Sequence, residues 1–87
     1  MKREDALIMQ QIYGVEKQYK RNVLPVDLVA EHIVPASKGQ KKLEELNELG
    51  YLAEIAENGA NTYKTTVKGY QQMCAYRDVK RKIEAYA

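Results

Sequence analysis

The chain predicts an α+β, mostly helical domain: three helices, a two-stranded hairpin and a long final helix. Two observations carry this prediction. Leu43, Leu46 and Leu49 recur at helical spacing until Gly50 ends the run, and Tyr51-Leu52 then opens a segment of extended character. Asn58-Gly59 next offers a hairpin turn between Tyr51–Glu57 and Thr62–Val67 because Asn and Gly tolerate positive φ.

The remaining elements follow from periodicity and from the residues that stop helices. From Arg3 to about Lys20, Leu7, Ile8, Ile12, Val15 and Tyr19 line one helical face. Met9 and Tyr13 form a second apolar strip four residues apart, which implies a second neighbour for this helix. Gly14 lies beside that strip and permits the close approach of another helix, at about 1 kcal/mol of helix propensity relative to Ala. Val23-Leu24 reads as a brief extended piece, since Pro25 disfavours helical angles in the residue before it. Pro25 then suits the first turn of a short helix that buries Leu28, Val29 and Ile33 and ends at Val34-Pro35. Ser37 is the expected N-cap of the third helix, which runs to Leu49 with its three leucines turned inward and Gly50 in the left-handed position after it. Thr66 is the expected cap of the last helix, Val67 to Tyr86. Its stripe of Tyr70, Met73, Tyr76, Val79, Ile83 and Tyr86 is longer than one small domain can cover.

Composition narrows the class. Eighty-seven residues, 45% apolar and 30% charged, make one folded domain over 1–87. With neither Trp nor Phe, seven Tyr supply all the aromatic surface. No apolar run approaches a membrane span and the first residues, Met1-Lys2-Arg3-Glu4-Asp5, do not resemble a signal peptide, so a cytoplasmic protein without a membrane partner is expected. One Cys (Cys74) and one His (His32) are too few for an internal disulfide or a four-ligand zinc site. Cys74 reads as packing and His32 as a cap or surface residue. Nor does the chain carry a phosphate-cradling Gly loop or a nucleophile set beside His and acid, so neither an enzyme nor a cofactor is expected.

Charge is unevenly spread. Residues 1–21 carry five basic and three acidic side chains, residues 22–66 four and seven, and residues 67–87 five and two. The acidic middle argues against nucleic-acid binding on net charge alone. Its local pattern argues the other way. Ser37, Lys38, Gln40, Lys41 and Lys42 occupy the start of the third helix, which holds three lysines and no acid before Glu44. Helix amides add partial positive charge there. Lysines suit phosphate contact, while Ser37, Lys38, Gln40 and Lys41 have the reach for base edges. At the hairpin Asn58, Asn61 and Lys64 are candidates for positioning on phosphates, with Lys68 a further backbone contact.

In this order a helix, a hairpin and a closing helix form the second half of a winged helix-turn-helix. The segment Leu43, Leu46, Gly50, Tyr51, Leu52, Tyr63, Thr66 and Gly69 resembles winged-helix transcription regulators. Tyr63-Lys64-Thr65-Thr66-Val67-Lys68-Gly69, with Tyr76 further on, is especially similar to small archaeal dimeric winged-helix proteins. That resemblance implies a homodimer paired through the last helix, 67–87; the uncovered apolar strips extend the expected pairing surface to the first helix, with Met9, Tyr13, Tyr70, Met73, Tyr76, Val79, Ile83 and Tyr86 on it. It implies double-stranded DNA as the partner, read by helix 37–49 and touched along its backbone by the wing 51–67. Gly39, where such helices carry an apolar side chain, predicts a looser start to the reader, and Glu44-Glu45 replaces basic or neutral residues. The alternative expectation is an adaptor of the same fold that binds protein and not DNA.

Overall fold

The computed structural model describes residues 1–86. Helix α1 (Arg3–Tyr19) is followed by α2 (Pro25–Ala30), a 3-10 turn (Ala36–Lys38), α3 (Gly39–Glu48), the antiparallel strands β1 (Leu52–Glu57) and β2 (Ala60–Thr65), and helices α4 (Val67–Met73) and α5 (Arg77–Glu84). The architecture is α+β and mostly helical, with one two-stranded sheet.

Helix α1 is the axis of the molecule. Ala6, Met9, Ile12 and Val15 are its buried residues, so the strip containing Met9 belongs to the core. Leu7 and Tyr19, expected on the inner face, are instead 40% and 43% exposed. The buried arc is displaced because β2, α4 and α5 all pack on α1.

Helix α3 does not start at Ser37. Pro35 opens a 3-10 turn in which the Lys38 amide donates to Pro35 O, and α3 follows at Gly39 with no side-chain cap. Gly39 tightens the helix start where a looser one was expected: a Cβ there would lie 2.8 Å from Pro25 O, so its absence lets α3 approach the α2 backbone. Leu43 and Leu46 are fully buried, but Leu49 is 48% exposed. Each three-residue step falls about 60° short of a full turn, so two steps carry Leu49 about 120° around from Leu43. Gly50 takes φ +82° as expected. Its amide donates to Asn47 O and that of Tyr51 to Leu46 O, the Schellman ending.

The hairpin is tighter than its sequence suggests. Asn58 and Gly59 both have positive φ, 51° and 80°, and alone make the turn. Ala60 and Asn61, expected in the loop, pair with Glu57 and Ala56. On its other edge β2 pairs with Val23, whose amide and carbonyl bond those of Tyr63. Thr66 caps α4 by accepting from the Gly69 amide at 3.0 Å and donates to Gly50 O at 2.7 Å. Gly69 packs on the Tyr51 carbonyl, a space that a Cβ would occupy. Thr66 and Gly69 therefore join the end of α3, the start of β1 and the start of α4.

The expected long last helix is two helices. α4 ends at Met73, Tyr76 is extended (φ −90°, ψ 118°) with its hydroxyl donating to Met1 O, and α5 turns back along α1. Met9, Met73, Val79 and Ile83 are thereby buried within this one chain, so none of these four offers a pairing surface. Gly14 admits the Tyr86 ring, which a Cβ would meet at 2.9 Å. Tyr13, Tyr70 and Tyr86 form a half-exposed aromatic cluster, with the Tyr13 ring 5.5 and 6.4 Å from the other two. Cys74 is half-buried against the core and His32 is exposed. Among the described residues no helix is long and apolar enough to cross a membrane, and none of them form a cluster of three or more metal-binding side chains.

Candidate nucleic-acid interface

The residues expected to read nucleic acid divide into groups with different environments. Ser37, Lys38 and Lys41 are exposed, and neither lysine forms an ion pair with another described residue. They lie in the 3-10 turn and at the start of α3, the end of the helix dipole that favours an anion.

Lys42 is otherwise engaged. Its Nζ lies 3.1 Å from Asp5 Oδ1 on α1 and 3.6 Å from Glu45 Oε2, with 22% of its side chain exposed. Burial works against the ammonium, but the hydrogen bond and attraction from Asp5, reinforced by Glu45, outweigh it and raise the Lys42 pKa. This lysine therefore fastens α3 to α1.

Gln40 is bound on the other flank of α3. Its amide nitrogen donates to Glu44 Oε1 at 2.8 Å and to Tyr63 Oη at 3.1 Å, and the Tyr63 hydroxyl donates to Glu54 Oε2 at 2.8 Å. Burial, then the bond to Glu54, pushes the Tyr63 pKa up, so the phenol stays protonated as a donor. The chain Glu44–Gln40–Tyr63–Glu54 ties α3 to the hairpin and removes Gln40's donors from base reading. Beyond Lys41, the exposed residues of α3 are Glu44, Glu45 and Glu48, so positive potential is confined to the helix start.

The hairpin candidates do not share one location. Asn58 is at the tip, Asn61 is in β2, and both are exposed. Lys64 lies away from the α3 lysines, in a cleft of about 370 Å³ lined also by Tyr13, Glu16, Lys17, Lys20, Arg21 and Thr65. Glu16 accepts from the Thr65 amide at 2.6 Å and hydroxyl at 3.0 Å. Its pKa is raised by burial, against the Thr65 donors and the charges of Lys64 and Lys17. No local signal marks this cleft, because α1 and β2 meet only in the folded chain. Lys68 donates to Leu49 O at 3.0 Å and lies 5.5 Å over the Tyr51 ring, which makes it a C-terminal partner of α3.

Comparison with protein families, curated proteins and solved structures returns no match.

Proposed function

We propose that the chain is a winged helix-turn-helix DNA-binding protein that acts in transcription regulation, with α3 as its reader and the hairpin as its wing. The observation that carries this reading is the pairing of Val23 with Tyr63. It gives the order helix, short strand, two helices, hairpin, and it holds the hairpin beside α3, at whose start Lys38 and Lys41 are exposed and form no ion pair among the described residues. In this reading Ser37, Lys38 and Lys41 meet the duplex, with Asn58 and Asn61 beside its backbone. Pairing of two copies through Met9, Met73, Val79 and Ile83 is not part of the proposal, since those side chains fill the core.

The test is titration of a fluorescent random-sequence duplex at rising salt. Lys38 and Lys41 together contribute about −2 to the log–log slope, and Lys38→Gln/Lys41→Gln removes that share. Absence of duplex binding at low salt overturns the reading.

One observation favours a protein-binding adaptor instead: the exposed body of α3 presents Glu44, Glu45 and Glu48 against Lys41. Such a surface suits a basic protein partner. An adaptor would show no duplex affinity at low salt, and its protein binding would be lost on Glu44→Lys/Glu48→Lys.

A further inference from the structure

Helix α5 carries four exposed cations, Arg77, Lys80, Arg81 and Lys82, and none of them is ion-paired among the described residues. Its first acid, Asp78, is neutralised by Arg3 through two guanidinium hydrogen bonds, leaving Glu84 to oppose them. Val79 and Ile83 face the core, so Arg77 and Arg81, one turn apart, share the outer side. Stabilisation of the helix C-terminus accounts for Arg81 and Lys82 but not for Arg77, which begins the helix where a cation is unfavourable.

The location of this surface is fixed by α1. Arg3 bonds Asp78 of α5, while Asp5 bonds Lys42 of α3. Residues two apart on a helix point about 200° away from each other, so α3 and α5 lie on opposite flanks of α1. The molecule measures 24 × 23 Å across its short axes, which keeps ligands on the two flanks apart. A membrane is a poor fit to α5, because its apolar residues are in the core and none remain for insertion. A regular polyanion needs only the cations.

We propose that Arg77, Lys80, Arg81 and Lys82 form a second, sequence-independent contact for the phosphate backbone of duplex DNA, so that one chain bridges two duplex segments. This rests on the DNA-binding reading above. The test is capture of a labelled duplex by a bead-tethered duplex carrying the protein. Wild type captures. Arg77→Gln/Arg81→Gln, checked for native circular dichroism and melting, is expected to lose at least about fivefold in capture while duplex binding through Lys38 and Lys41 persists at low salt. If the variant fails to fold, Arg81→Gln alone is the substitute, with a smaller loss of capture expected in the same direction. Capture undiminished in the folded variant, as two reader helices in a dimer would produce, overturns the inference. So does wild-type protein that binds one duplex without capturing another, or that takes up anionic vesicles but no second duplex. Wild type with no duplex affinity at all overturns the DNA-binding reading itself.

Discussion

Val23 and Tyr63 exchange both of their backbone hydrogen bonds, at 2.8 and 2.9 Å, and both side chains are fully buried. This pair joins the segment after α1 to the second strand of the hairpin. Tyr63 continues the connection outward through its hydroxyl to Glu54 and Gln40. One residue thus links α1's exit, the hairpin and α3.

Val23→Pro removes the amide that donates to Tyr63 O. The cost expected is roughly 2–4 kcal/mol of unfolding free energy, from the lost donor and a buried carbonyl left unpaired. Urea denaturation measures it, with Val23→Ala as the control for lost packing. A proline variant as stable as the alanine variant would mean that the pairing contributes nothing.

Glu16 and Asp27 predict opposite pH dependences. Burial holds the Glu16 pKa above its ordinary value of 4.5, so the folded chain binds this proton more tightly than the unfolded chain does. Ionisation therefore costs stability as pH rises above 4.5, and the cost is absent below it. Glu16→Gln keeps an oxygen acceptor for Thr65, so its stability should gain on wild type from pH 4.5 upward and run parallel below. Asp27, hydrogen-bonded by Arg21 and by the Leu24 amide, is held below 3.8. Its contribution is full above 3.8 and fades as pH falls further, so Asp27→Asn should be weaker at neutrality and converge on wild type in acid. Melting curves between pH 3 and 7 test both signs; a Glu16→Gln advantage that grows toward acid contradicts the first.

Lys41 and Lys42 are adjacent in sequence but differ in environment. Lys41→Ala should lower duplex affinity several-fold at low salt and reduce the salt slope by about 1. Lys42→Ala should leave affinity within about twofold and cost about 1–2 kcal/mol of stability through the loss of its charged hydrogen bond to Asp5. Equal losses of affinity would show that Lys42 leaves Asp5 to meet the duplex and that the two lysines act alike.

Local chemistry made several features legible in the residues alone. Pro25 begins α2, Gly50 ends α3, Asn58-Gly59 turns the hairpin and Thr66 caps α4, because each depends on a residue's own φ preference or on a hydrogen bond within four positions. Side-chain roles were less legible. A run of lysines before Leu43 reads as one surface, yet Asp5 on a different helix removes Lys42 from it and Tyr63 removes the donors of Gln40. Those partners are 37 and 23 positions away, and nothing near either residue announces them.

The sequence by itself determined the stop at Gly50, the hairpin turn and the class of the domain, since short-range sterics and periodicity suffice for these, but it missed the stop of α2 at Ala30 and that of α4 at Met73. Only the tertiary structure decided that the stripe from Tyr70 to Tyr86 breaks at Tyr76, that Met9 and Ile83 serve one core, and that basic side chains gather on opposite flanks of α1. A periodic apolar face states that something must cover it, and the identity of the cover depends on where the rest of the chain folds back. Here the chain's own α1 is near enough to bury that face, and bending after Met73 exposes less apolar surface than leaving a straight helix uncovered.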